Sequence, residues 1–215
     1  KALALVNDVP LLERNIKYLQ NFGVTEFVIN VYHFGEQIVE FLEKNNHFGA
    51  KIDISDEKDE LLETGGGLLF AQKYLENEEN FLIMNADILT DLNIHELVKF
   101  HETLLPLATL AVSDRNSSRK LFFNSEMVLK GWMNKNSGET KMAEFNSDFK
   151  ELAFSGIHCI NSSIFDKIKR RGKFSIMEEY LDLMFENKIL GFQHEARLID
   201  VGRPESVIEA EKYFK

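Results

Sequence analysis

The sequence predicts an α/β fold with a mainly parallel central sheet flanked by helices. Three observations carry the prediction. Apolar strand-like runs alternate with helix-like segments of roughly ten residues through the first half of the chain, as in βαβ units. Acidic or amide residues follow apolar runs at Asn85, Asp87 and Asp200, where open α/β sheets hold their ligands beyond the carboxyl ends of strands. Hydrophobic residues make up 44% of the 215-residue chain and 18 are Phe, so a real core can form and disorder is disfavoured. That length suits one domain, or one domain with a small extension.

The elements follow in order. "LLERNIKYLQNFG" reads as a helix from Leu11 to about Asn21, with Pro10 pre-setting its entrance and Gly23 ending it. "EFVINV" reads as a strand, "FGEQIVEFLEKN" as a helix and "KIDIS" as a short strand. After a run of three glycines, "LLFAQKYL" reads as a helix. "NFLIMNADI" begins as a buried strand, "NIHELVKFHETL" is a helix with Asn93 as its cap, and "LATLAVS" is again a strand. The middle changes character. Short pieces punctuated by Asn, Ser and Gly suggest strands at 121–124 and 127–133 joined by a turn, the core of a small β insertion over 115–150. "KELAFSGIHCI" is a strand, helices follow at about 163–170 and 175–186, and "KILGFQ" and "ARLIDV" are strands. Pro204, just after Gly202, opens a closing helix over 204–214. A doubly wound fold normally starts with strand, loop and helix; here only "ALALV" stands ahead of the first helix.

Charge narrows the partners. The formal net charge is −10, from 35 acidic residues against 25 Lys and Arg, and such a surface repels nucleic acid and anionic membranes. No stretch of eighteen apolar residues suggests a membrane span, and "KALALVNDVP" lacks the apolar run of a signal peptide. The one cysteine, Cys159, sits in an apolar run and reads as a small buried residue rather than a nucleophile. A cytoplasmic location is expected.

Several residues are candidates for chemistry. Asp87 ends "NFLIMNAD", and Asp200 ends "ARLID" before Gly202 and Pro204. Two strand-end carboxylates suit Mg²⁺, which takes one or two carboxylates together with substrate phosphates. Each alone would serve equally as a turn or cap residue. Asp8, Asp91 and Asp114 read as caps or turns. Gly65, Gly66 and Gly67 follow Glu63 and Thr64. Their amides are suited to an anion or the edge of a base; a plain flexible turn is the alternative. The run is neither a Walker A loop nor a G-x-G-x-x-G fingerprint. Gly156, inside the strand "FSGIH", marks a bulge or a close approach to a ligand. The six histidines show no metal-ligand spacing. The runs "DEKDE" and "NEEN" read as solvated surface; "KIKRRGK" reads as a solvated helix end, with contact to a phosphorylated partner as the alternative.

The chain resembles the sugar nucleotidyltransferases that join a sugar 1-phosphate to a nucleoside triphosphate. It is most similar to the branch holding N-acetylmuramate 1-phosphate uridylyltransferases and small mannose 1-phosphate guanylyltransferase-like enzymes. The matching stretches are "KALALVNDVPLLERNIKYLQNFGVTEFVINVYHFGEQIVEFL", "LLETGGGLLFA", "FLIMNADILTD", "FSGIHCI" and "LIDVGRPE". The resemblance implies a Rossmann-like nucleotidyltransferase core across residues 1–215, with the 115–150 insertion beside the sugar. It implies that Lys1 contacts the triphosphate, and that Glu63, Thr64, Gly65 and Gly66 line the nucleotide base. It implies that Asp87 and Asp200 hold Mg²⁺, that Asn85 lies beside the sugar or ribose, and that Ser155, Gly156 and Asn30 lie on the sugar side. Gly202 shapes the second metal loop. Arg115 and Arg119 are candidates to meet the sugar phosphate. UTP is favoured slightly over GTP and CTP, and a monomer or small homo-oligomer is expected.

The family's opening strand and its Gly-rich phosphate loop have no match before Lys1, so a partial chain is expected. "NAD" also replaces the usual Asn-Gly-Asp. Two other readings remain open: a catalytically silent nucleotide-sugar-binding or regulatory domain on the same core, and an unrelated doubly wound domain. The last requires Asp87 and Asp200 to lie too far apart to share a cation.

Overall fold

In the computed structural model, which describes residues 1–58, 60–144 and 148–214, the chain opens on a small hairpin. Its strands are β1 (Leu5–Val6) and β2 (Val9–Pro10), turned by Asn7 and Asp8 at φ of 48° and 61°. Two consecutive left-handed residues make the tight turn that matches strand twist, and Asn and Asp tolerate it best after Gly. The segment "ALALV" is therefore not a central strand; among the described residues β1 pairs only with β2. Helix α1 (Leu11–Gln20) starts directly after Pro10, and Gly23, at φ 83°, donates to the Gln20 carbonyl at 2.9 Å beyond its end.

Strand β3 (Glu26–Val31), helix α2 (Gly35–Lys44), a 3₁₀ turn at Asn46–Gly49 and β4 (Lys51–Asp56) follow, and β3 and β4 pair in parallel. Leu12 and Ile16 of α1 and Leu42 of α2 pack with Phe27, Ile29, Ile52 and Ile54 of these strands. Helix α3 (Glu63–Phe70) and the short α4 (Gln72–Leu75) lead to β5 (Asn80–Met84) and β6 (Ile88–Thr90). The glycine run thus lies inside the first turns of α3, where propensity alone starts the helix only at Leu68. Helix α5 (Ile94–Leu104) is capped by Asn93, whose Oδ1 accepts the Glu96 amide at 3.4 Å.

Strand β7 (Ala108–Ser113) leads into a smaller antiparallel unit, β8 (Arg119–Phe123), β9 (Leu129–Asn134) and β10 (Thr140–Met142). Residues 145–147 of the 115–150 segment lie outside the described residues. The long strand β11 (Lys150–Asn161) joins this unit to the main sheet, pairing with β8 at its start and with β5 and β7 further on. Helices α6 (Ile164–Lys167) and α7 (Ile176–Leu183), strands β12 (Ile189–Gln193) and β13 (Leu198–Asp200), and helix α8 (Pro204–Tyr213) complete the chain.

The sheet is mixed. β12 runs parallel to β7, whereas β11 runs antiparallel to β5, β7 and β8. Alternation along β7 and β11 feeds two cores. Leu110, Val112 and Ile160 face Ile176 and Tyr180 of α7; Ala111, Ile157 and Cys159 face Ile94 and Leu97 of α5. Both faces are covered, so the middle of these strands is mostly apolar, and the polar residues there, Thr109, Ser155 and His158, are buried. A third core joins Val6, Leu11, Leu89, Ile199, Val201 and Ala210, which fixes the β6–β13 ribbon between the opening hairpin and α8. Among the described residues no helix is long and apolar enough to cross a membrane.

Candidate active site

The backbones that carry the two strand-end carboxylates lie side by side. β6 begins one residue after Asp87 and pairs antiparallel with β13, so that Ile88 lies opposite Asp200. The Val201 amide donates to the Asp87 carbonyl at 2.8 Å, which extends the ladder past both aspartates. Asp200 Oδ1 accepts the Gly202 amide at 2.9 Å. Lys1 lies beside Asp87: its Nζ is 3.7 Å from Asp87 Oδ2. A Cβ at Gly202 would stand 2.8 Å from Asp200 Oδ1 and 3.5 Å from Lys1 Nζ, so Gly202 leaves room where these groups converge. Side-chain exposure is 68% for Lys1 and 30% for Asp87. A pair this open contributes about 0–1 kcal/mol, which leaves the ammonium free to turn to another anion.

The loop between β5 and β6 is held from below. Asn15, buried on α1, donates from Nδ2 to the Ala86 carbonyl at 3.0 Å. Ala86 is not among the left-handed residues, so alanine is tolerated there without strain.

β11 bulges beside this loop. Its register against β7 shifts between Phe154 and His158, and Gly156 sits at φ 73° inside the shift. The Asn85 amide donates to the Gly156 carbonyl at 2.9 Å, and a Cβ on Gly156 would lie 2.9 Å from Asn85 Nδ2. Asn85 and Gly156 are therefore brought together. Ser155 turns the other way. It is buried, and its Oγ lies 2.9 Å from Nε2 of His194, which follows β12. Arg115 reaches the same bulge, donating to the Phe154 carbonyl at 2.8 Å; it feels the Asp200 charge, and its own charge bears on His194. Arg119 opens β8 on the surface of the smaller unit.

A second group gathers at the start of α3. The amides of Gly65 and Gly66 donate to the Phe174 carbonyl at 2.9 and 3.3 Å, and Thr64 Oγ1 accepts the Ile176 amide at 3.0 Å. A Cβ on Gly65 would overlap the Phe174 ring, and one on Gly66 would overlap the Gly172 carbonyl. The glycines let α3 lie directly on segment 172–176, and two of their amides are committed to the protein. Glu63, at φ 60°, remains exposed at the turn, with Lys173 Nζ 3.8 Å from its Oε1. Beside it, Asn30 at the end of β3 donates from Nδ2 to Oε1 of Glu57, whose Oε2 accepts the Leu62 amide at 2.8 Å. Glu57 lies in the "DEKDE" run that reads as solvated, yet it is 3% exposed. Glu57, Asn15 and His194 escape motif reading because their roles depend on partners distant in sequence.

The buried histidines are structural. Burial pushes His158 down to about 3, and its Nδ1 lies 2.7 Å from the Tyr180 hydroxyl. Burial also lowers His101, whose ring lies between Thr109 and Asn80. Burial raises the Cys159 thiol to about 12, with Glu102 adding to the shift.

A nucleotidyl transferase family matches residues 1–215, the full length described by the sequence. The chain belongs to this nucleotidyl transferase family. Its α/β architecture, a mixed sheet covered by helices with a small β insertion, is that of the family. Among curated relatives, a D-glycero-α-D-manno-heptose 1-phosphate guanylyltransferase from Campylobacter jejuni is 29% identical over 208 residues, 95% of this chain and 86% of that protein. A mannose-1-phosphate guanyltransferase from Gibberella zeae is 26% identical over 97% of this chain, which spans only 56% of that protein. In structure, HddC from Yersinia pseudotuberculosis complexed with GMP-PN superposes with TM-score 0.80 at 21% identity, covering 100% of this chain and 89% of HddC. A UDP-glucose pyrophosphorylase complexed with UDP-glucose superposes at TM-score 0.76 and 15% identity, over 100% and 89% of the two chains.

The family member's own residues fit a hard divalent cation. Asp87 and Asp200 offer carboxylate oxygens from adjoining strand ends, and the Lys1 ammonium stands beside Asp87 as a positive charge. Among the described residues no group of three or more His, Cys, Asp and Glu gathers for a metal. A pair of carboxylates is the donor set Mg²⁺ takes when substrate phosphates complete its shell.

Proposed function

We propose that this domain transfers a nucleoside monophosphate from a nucleoside triphosphate to a sugar 1-phosphate, giving a nucleotide sugar and pyrophosphate. The observation that supports the reading is the pairing of the backbone at Asp87 with that at Asp200, together with the Lys1 ammonium beside Asp87. A phosphate oxygen of the sugar 1-phosphate forms the new bond to the α-phosphorus. The bond from that phosphorus to the bridging oxygen breaks, and pyrophosphate leaves with the electron pair. The attacking phosphate is already ionised at neutral pH, so no general base is needed, in keeping with the structural roles of the buried histidines. Mg²⁺, held by Asp87 and Asp200, supplies charge neutralisation when bound. The chain's own work is alignment and electrostatics. Lys1 meets the triphosphate, and Arg115 is placed for the sugar phosphate. Asn85 and Gly156 face the sugar, with Ser155 and His194 supporting the bulge behind them. The base lies against the turn from Glu63 to Gly66, near Asn30, and the 115–150 unit flanks the sugar.

A guanine nucleotide is the first candidate, supported by the guanylyl-transferring relatives; UTP, favoured slightly by the overall resemblance to uridylyltransferases, is second. An aldose 1-phosphate related to mannose or a heptose is the corresponding acceptor. The test is pyrophosphate release by the full-length protein with Mg²⁺, each of four nucleoside triphosphates, and a panel of sugar 1-phosphates. Release with one pair supports the reading. Release with none, from a chain carrying an intact amino-terminal phosphate loop, overturns it in favour of a silent binding domain.

A further inference from the structure

Glu57 is the buried acid that the reaction above does not use. It follows β4, is 3% exposed, and its own amide donates to the Val31 carbonyl at 2.9 Å. Its two carboxylate oxygens face two N–H donors: Asn30 Nδ2 at Oε1, and the Leu62 main-chain amide at Oε2, 2.8 Å away. A carboxylate accepts at both oxygens, so it satisfies both partners at once. Glutamine has one acceptor oxygen and would set its amide group against one of the two donors.

This arrangement decides which way Asn30 faces. A surface asparagine ordinarily presents its oxygen and nitrogen interchangeably. Here the nitrogen must point at Glu57, because an oxygen there would oppose the carboxylate. Gly67 closes the third side: a Cβ on it would stand 2.5 Å from both Asn30 Nδ2 and Glu57 Oε1. Asn30 is itself exposed, beside the Leu62–Glu63 turn, and its Oδ1 has no hydrogen-bond partner among the described residues.

We propose that Glu57 is a positioning residue that locks the Asn30 amide so that Oδ1 faces outward as a fixed acceptor, selecting a substrate that offers an N–H or O–H donor at that place. The assignment rests on the nucleotidyl-transfer reading for the substrate and on the side-chain geometry alone for the lock. The donor belongs either to the nucleotide or to the sugar. Measuring KM for each substrate separately identifies which.

The test compares Glu57→Gln, Asn30→Ala and the double variant of the full-length protein with its best substrate pair. In Glu57→Gln the new amide donates to a flipped Asn30, which then presents its nitrogen outward. Each single variant is expected to raise one KM about tenfold, the scale of one misdirected hydrogen bond, with kcat nearly unchanged. In the Asn30→Ala background, Glu57→Gln is expected to add nothing. An undiminished Glu57→Gln effect in that background, or unchanged KM values in both single variants, overturns the proposal. The lock has a readout that needs no turnover. One Asn30 side-chain amide proton is expected far downfield and slow to exchange by NMR, and to lose both properties in Glu57→Gln. An ordinary surface-asparagine signal in the parent protein overturns the lock. Absence of turnover with a normal lock signature removes the functional reading instead.

Discussion

Ser155 and His194 form a buried pair, with Oγ and Nε2 2.9 Å apart, on the far side of the bulge that carries Gly156. The serine hydroxyl is therefore engaged inside the protein, although the motif "FSGIH" implies a sugar-side role. Ser155→Ala leaves the histidine nitrogen buried without this partner, which costs about 1–3 kcal/mol. Denaturant unfolding is expected to show that loss, with KM for both substrates held within about twofold. Unchanged stability with a raised sugar-phosphate KM returns Ser155 to the sugar site.

Gly66→Ala separates helix propensity from packing. Inside a helix, alanine is favoured over glycine by roughly 0.5–1 kcal/mol. At Gly66 the added Cβ overlaps the Gly172 carbonyl and lies 2.9 Å from Leu62 Cβ, and backbone yields less readily than a side-chain tip. The variant is expected to lose about 1–3 kcal/mol, the usual cost of overpacking. A gain in thermal midpoint would show that α3 does not rest on segment 172–176.

Acid is expected to destabilise the fold before most carboxylates titrate. His158 is held neutral by burial, down to about 3, whereas in the unfolded chain it binds a proton near 6.5. Its folded value is depressed, so below about pH 6.5 the unfolded state binds more protons and stability falls as pH falls, by up to about 1.4 kcal/mol per pH unit for this group. His101 and His194 are lowered by burial in the same direction. Urea unfolding from pH 7.5 to 4.5 checks this; a flat profile would contradict the burial of these rings.

Cys159 is expected to resist thiol reagents in the native state. It packs between β11 and α5, and its thiol is pushed up to about 12, so little thiolate forms at neutral pH. Labelling is expected only at the rate of unfolding, and accelerates with urea. Rapid labelling without denaturant would contradict the core described for that face.

Much of this was legible in the residues. The apolar run "EFVINV" corresponds to Glu26–Val31, Asn93 caps α5, and Pro204 opens α8. Asp87 and Asp200 were marked by their places after apolar runs. What pairs their strands was not legible: β6 has three residues, too few for any periodicity, and its pairing with β13 spans about half of the chain. Helix α3 starts before its glycines because tertiary contact outweighs their poor propensity. Glu57 was hidden in a charged run because burial of one acid depends on the donors of Asn30 and Leu62, which local sequence does not reveal.

Asp87 and Asp200 are proposed to act as one unit, and a double-variant cycle measures that directly. Pyrophosphate release is compared for the parent protein, Asp87→Asn, Asp200→Asn and the double variant under saturating substrates and Mg²⁺. Each single change is expected to lower kcat about 100-fold or more with folding intact, since charge stabilisation of this kind supplies several kcal/mol. Groups that hold the same ion are not additive, so the double variant is expected to be little worse than the worse single one. Losses that multiply, or a single variant with undiminished turnover, would show that the two carboxylates do not share a cation.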